Sequence, residues 1–308
     1  MLVISSGSSE RGTCVAGFAA AAVIARPNVE RLSSVTAQAA ARKERHMDGV
    51  AGARSSPPLL ARDAKTTIAM AQDLHARAKR PNVFIKIPGT PEGLPAIEEA
   101  IFAGIPINVT LLFSSDQYLA AADAYMRGIE RRIEAGRSPD VASVASLFIS
   151  RWDVAVAGKV PAKINNQLGI AVAKRTYKAY RELLGSARWL RAYNEGARPQ
   201  RLLWASTGTK DPAASDILYI KALAAPFTVN TTPDKTLLAF AQHGEIGSLL
   251  PADGGDSETV LAQFARDGID VAALALQLQN EGAASFTKSW NDLMGVIASK
   301  SGLLQKAS

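Results

Sequence analysis

From residue 59 onward the apolar positions fall into two alternating periods. Leu60, Ala64, Thr67, Ile68, Ala71 and Leu74 recur every three or four residues, which predicts an amphipathic helix over 59–79. Pro81 and Asn82 stop it. Val83-Phe84-Ile85-Lys86-Ile87 then reads as a short buried strand, β-branched and aromatic between Pro81 and Pro88-Gly89. A second helix carries Leu94, Ile97 and Ile101 on one face and ends at Gly104. The next strand covers 107–113, and Ser114 with Gln117 forms the signature of a capping box. The helix it opens has a stripe of Tyr118, Ala122, Tyr125, Ile129 and Ile133 and closes at Gly136. Strands over 144–149, 202–205 and 227–230, separated by helices over about 161–185 and near 213–224, complete the alternation, and the remainder is mostly helical.

Strands separated by helices in this order need right-handed crossovers and a parallel sheet, either doubly wound or closed into a barrel. No G-x-G-x-x-G follows a strand and no P-loop occurs, which counts against a nucleotide-binding regulator on a doubly wound sheet. Residues 1–56 differ in character: Ala, Ser, Gly and Arg crowd together without clear period. The expected organisation is a divergent segment over 1–56 and a barrel domain over 57–308. Five βα units are legible, and 56 residues cannot hold three more at about 30 residues each. The expected fold is therefore α/β, of the (β/α)8 TIM-barrel type, incomplete at its N-terminal strands. Open strand edges of that kind pair with other chains, so poor solubility is expected.

Composition changes this picture little. Lys and Arg exceed Asp and Glu by 35 to 28, but 12 basic and 6 acidic residues fall within 1–80, so the body is nearly neutral and no nucleic-acid surface is expected. One cysteine, Cys14, fits a reducing compartment. No apolar run reaches the roughly 18 residues of a membrane span. The run Cys14 to Ala25 has the length of a signal-peptide core, but Glu10 precedes it and no small-residue cleavage site follows. His46, His75 and His243 share no metal-ligand spacing, so no metal is expected.

The candidate chemistry lies on polar residues inside apolar strands, because barrel enzymes work at the C-terminal strand ends. Lys86 alternates with Ile85 and Ile87, which turns it to the opposite face, the interior of a closed barrel. Deprived of water, its amine loses charge and becomes a nucleophile toward a ketone; the plain alternative is a strand-end lysine whose head reaches solvent. Asn108 and Thr110 share one strand face and suit a polyhydroxylated substrate, although threonine is also ordinary in strands. Ser146 lies in the next strand, with Arg151 just past its end. Arg151 has a fork that matches phosphate; the alternative is an ion pair with Asp153 or another surface carboxylate. The loop Ser206-Thr207-Gly208-Thr209-Lys210 offers backbone amides and a cation to the same phosphate.

Four segments, taken in order, resemble successive motifs of the transaldolase family: Phe84 to Thr90, Ile107 to Phe113, Ser143 to Ser146 with Arg151, and Leu203 to Lys210. The tail from Glu281-Gly282-Ala283-Ala284-Ser285-Phe286 to Trp290-Asn291 is similar to the C-terminal helix of the longer bacterial forms. The resemblance covers roughly residues 57–308. It implies a cytoplasmic, cofactor-free (β/α)8 transferase of the pentose phosphate pathway, moving a dihydroxyacetone unit between phosphorylated sugars. Lys86 would be its Schiff-base lysine, with Asn108 and Ser146 holding the dihydroxyacetone fragment and Thr110 placing a water for proton transfer. Arg151 would hold the phosphate, with Ser206 and Lys210 of the following loop beside it.

The same resemblance implies two carboxylates that do not occur. The family places an aspartate on its first strand and a glutamate in an S-L-E-V-S-P-like third strand. Here the matching stretch is Gly52-Ala53-Arg54-Ser55-Ser56-Pro57, and the glutamate's place falls on Arg54 or Ser55. Loss of these acid and base groups would impair turnover, leaving a sugar-phosphate binder; simple aldol cleavage by the same lysine is a third outcome. A shifted reading frame in GC-rich DNA would account for the composition of 1–56, and the upstream DNA would then encode the two missing strands in a second frame.

Overall fold

The computed structural model describes the backbone of residues 2–5, 20–23, 51–55, 64–80 and 82–307, with side chains over 64–80 and 82–300. Eight strands close into one ring: β1 (Leu2–Ser5), β2 (Ala20–Val23), β3 (Ala51–Ser55), β4 (Val83–Pro88), β5 (Ile107–Leu112), β6 (Ser143–Phe148), β7 (Arg201–Ala205) and β8 (Val229–Pro233). From β3 to β8 each strand is parallel to the next, and β8 is parallel to β1. β2 runs antiparallel to both of its neighbours. The expectation of a barrel incomplete at its N-terminal strands is corrected: the first 56 residues supply three strands, and the antiparallel pairings of β2 with β1 and β3 complete the ring. The expectation of open edges is corrected, because β1 and β3 pair with the outer edges of β8 and β4.

The helices after residue 57 are α1 (Ala64–Ala78), α2 (Leu94–Phe102), α3 (Ser115–Glu134), α4 (Ser150–Val156), α5 (Leu168–Gly185), α6 (Ala187–Asn194), α7 (Leu218–Ala222), α8 (Asp234–His243), α9 (Ser257–Arg266) and α10 (Val271–Ala307). The start of the helix expected over 59–79, with Leu60, lies outside the described residues. Ser114 caps α3 by accepting from Gln117 N, and the Gln117 side chain reaches back to Phe113 N, one residue earlier than a capping box requires. Two expected helices are shorter than their apolar pattern. Over 161–167 there is only a single 3-10 turn, Ala162–Ile164, and Asn166 takes a left-handed φ of 60° before α5. Over 213–224 only α7 forms, because the side chains of Asp211 and Ser215 take the amides of Ala213 and Ile217 into turns. The strand expected over 227–230 begins instead at Val229, since Phe227 has a φ of 62° and lies exposed.

Two apolar clusters sit on either side of the ring. Ile85, Ile87, Ile107, Val109, Ala145, Leu147, Leu202 and Trp204 alternate outward and bury against α1, α2, α3 and α5. Leu203, Ala205, Val229, Phe148, Leu111 and Phe113 belong to a second cluster, which extends to α4, α5, α9 and α10. α2 and α3 approach so closely that a Cβ at Gly128 would lie 2.8 Å from Glu98 O and from Ile101 Cβ. Gly128→Ala is expected to cost about 1–3 kcal/mol in chemical denaturation despite its better helix propensity. An unchanged midpoint would show that the two helices have room to part.

Candidate active site

The period of β4 sends Val83, Ile85 and Ile87 outward, fully or almost fully buried, and leaves Phe84, Lys86 and Pro88 on the other face. Lys86 lies on the inner face of the ring, partly buried as a residue, and burial holds its amine below the usual lysine range. In register beside it are Asn108 on β5 and, on the other side, Ser55 of β3. Arg54 pairs with Ile85, so Ser55 is the β3 residue next to the lysine. Asn108 in turn stands in register with Val144, and its Oδ1 accepts a 2.7 Å hydrogen bond from Ser146 Oγ. The lysine, the amide and the serine hydroxyl thus come from three consecutive strands and meet on one side of the sheet.

Thr110 is one interior step further along β5, in register with Pro88. The residue is 2% exposed, and its buried hydroxyl has no hydrogen-bond partner among the described residues. A buried hydroxyl in that state is satisfied by a water or by a ligand. Immediately after it the β5–β6 register shifts, and Leu111 adopts a φ of 62°, a conformation that costs a non-glycine residue about 1–3 kcal/mol. Strain of this kind persists where neighbouring structure holds it.

Arg151 does not pair with Asp153. The Asp153 carboxylate is buried and accepts from Leu168 N at 3.0 Å, Gly169 N at 3.3 Å and Tyr219 Oη at 2.7 Å. It ties α4 to the start of α5 and to α7; burial raises its pKa, against the pull of those bonds. Arg151 instead stacks its guanidinium 4.8 Å from the Phe148 ring centroid, half-buried, with burial lowering its pKa and the Glu281 carboxylate opposing that shift. Ser206 follows β7 with a φ of 57°, and its hydroxyl lies 2.8 Å from Ser150 Oγ, beside Arg151 in sequence. Lys210 is exposed at the end of the same loop.

Phe148 and the turn Gln279–Gly282 of α10 also belong to this site, and spacing alone had not singled them out. The signal for the second lay in α10, where Ala275, Leu278 and Gly282 form a buried stripe that includes one polar residue, Gln279. A glutamine at a core-facing helix position needs a partner in the neighbouring element.

Residues 55–297 match the family described as Transaldolase/Fructose-6-phosphate aldolase. The chain belongs to this family. It is 44% identical over 254 residues to a transaldolase of Frankia alni, an alignment covering 80% of this chain and 68% of that protein. A transaldolase of Mycolicibacterium paratuberculosis is 43% identical over 265 residues, covering 82% of this chain and 71% of the other. One from Thermobifida fusca is 42% identical over 262 residues, with 82% and 71% covered. The family match begins at Ser55, the residue in register with Lys86, and the strands β4 to β8 all lie inside it. No helix among the described residues is long and apolar enough to cross a membrane, and no group of His, Cys, Asp and Glu among them is arranged to hold a metal.

Proposed function

We propose that the chain forms a Schiff base through Lys86 with a phosphorylated ketose and transfers its dihydroxyacetone unit to a phosphorylated aldose. The observation that carries this reading is the buried, low-pKa Lys86 amine in register with Asn108, whose amide is oriented by Ser146. The neutral amine attacks the ketone, the carbinolamine loses water, and the resulting iminium accepts the electron pair of the C3–C4 bond as it breaks. The C4 hydroxyl gives up its proton, the aldehyde product leaves, and an enamine of dihydroxyacetone stays on Lys86. Addition of that enamine to an aldose aldehyde, protonation of the new alkoxide and hydrolysis of the imine return the lysine. With its Oδ1 engaged by Ser146, Asn108 turns its amide hydrogens to a substrate hydroxyl. The Thr110 hydroxyl holds the water that carries the proton. Arg151, backed by Phe148, binds the phosphate, with the Ser206 to Lys210 loop beside it. A cytoplasmic setting without cofactor goes with this reading.

A second reading, a protein that forms the imine but turns over poorly, is favoured by one specific observation. None of the eight strands, from Leu2–Ser5 to Val229–Pro233, carries an Asp or Glu, so no strand supplies the acid and base of the family. Rapid-quench measurement of glyceraldehyde 3-phosphate, with fructose 6-phosphate as donor and erythrose 4-phosphate as acceptor, separates the two. Continued release beyond one equivalent per chain is expected for the transferase. A burst of one equivalent or less followed by near arrest, or no release while borohydride still traps the sugar on Lys86, would favour the second reading; neither release nor trapping from folded protein would count against both.

A further inference from the structure

The bulge in β5 breaks the β5–β6 ladder between Val109 and Leu112, and the left-handed φ of Leu111 turns its carbonyl away from the strand pattern. A buried carbonyl in that state requires a donor from elsewhere. It has one: Gln279 Nε2, on α10, donates to Leu111 O at 2.9 Å. The other hydrogen of the same amide goes to Gly89 O at 3.1 Å, just past the end of β4. Gln279 is 2% exposed, so no water replaces it. One turn further along, α10 lies so close that a Cβ at Gly282 would be 2.7 Å from Leu111 Cδ2 and 3.1 Å from Arg151 Nη1. A single helical turn therefore touches the ends of the strands that carry Lys86 and Thr110, and the arginine beyond β6.

We infer that Gln279 is a positioning residue: its amide bridges the ends of β4 and β5 and sets the separation at which Lys86 and Thr110 act on one substrate. An apolar side chain of similar size fills the same space but leaves two carbonyls without donors, and a carboxylate opposes them directly. The residue touches no substrate, so its effect falls on the rate of the chemical step more than on the capture of the ketose, which Arg151 governs. This inference rests on the Schiff-base reading for its kinetic half and on geometry alone for the other half.

The test compares Gln279→Leu and Gln279→Glu with the parent chain in two measurements on folded protein. The first is the rate at which borohydride with fructose 6-phosphate traps an adduct on Lys86, as a function of sugar concentration. The second is amide hydrogen exchange of the peptides spanning 83–90 and 107–113. The expected result is a trapping rate at saturating sugar at least about tenfold lower, Glu worse than Leu, with half-saturation unchanged within about twofold. Exchange should quicken in those two peptides while the outer helices exchange as in the parent. Parent-like trapping and parent-like exchange in a folded Gln279→Leu chain would overturn the inference. So would acceleration spread evenly over the protein, which marks a merely structural residue. If the parent itself traps nothing on Lys86, the Schiff-base reading fails, and local exchange alone decides whether Gln279 holds the two strand ends.

Discussion

Lys86→Met is expected to lower turnover by on the order of 10⁴- to 10⁶-fold and to abolish the borohydride-trapped adduct, because no other lysine among the described residues stands in register with Asn108 inside the ring. The same substitution is expected to raise stability near neutral pH. Burial lowers the folded-state pKa of Lys86 below its unfolded value. At a pH under the folded value both states hold the proton, and the folded chain bears the full cost of the buried charge. Between the folded and unfolded values the unfolded chain binds more protons, so parent stability rises with pH and the cost fades. The advantage of methionine is therefore greatest below the folded-state value and vanishes toward the ordinary lysine value. Thermal melts across pH read this directly. A melting temperature for Lys86→Met that falls below the parent's at neutral pH would show that the amine is solvated after all.

Arg151→Gln is expected to reduce kcat/KM for fructose 6-phosphate by roughly 10- to 100-fold, mainly through KM, since a charge-assisted bond to phosphate contributes about 1.5–3 kcal/mol. Trapping of unphosphorylated dihydroxyacetone on Lys86 should stay within about threefold of the parent. Arg151→Lys keeps the charge and loses the fork and the stacking on Phe148, so it should fall between the two. Equal losses with both ketones would mean that Arg151 supports the fold of the mouth and does not select for phosphate. Asp153 makes that outcome unexpected, because its bonds to Leu168, Gly169 and Tyr219 anchor α4 without using the arginine.

The parts of this site that lie on regular strands are legible in the amino-acid order. Lys86 between Ile85 and Ile87, and Asn108 two residues before Thr110, declare their face because the strand period is two. What regular periodicity cannot carry is the departure from it. Leu111 reads as one more apolar strand residue, yet it takes a left-handed φ and ends the ladder. β2 reads Ala-Ala-Ala-Val, which has no alternation to announce a strand or its direction. α4 spans only seven residues, too few for a helical period to stand out, and its first residues bring Ser150 and Arg151 to the mouth. Asp153 follows Arg151 by two positions, but on a helix such residues do not face each other. Gln279 is 190 residues from Gly89, and only the closed ring with α10 laid across it brings them into contact.

Covalent attachment of the sugar to one lysine inside the ring is read out by peptide mapping of the borohydride-reduced protein after incubation with fructose 6-phosphate. The expected product is a three-carbon adduct on Lys86 and on no other lysine, or a six-carbon phosphorylated adduct on Lys86 if bond cleavage is blocked for want of a base. A folded protein in which Lys86 stays unmodified while the sugar is bound, or one labelled at a different lysine, would contradict it.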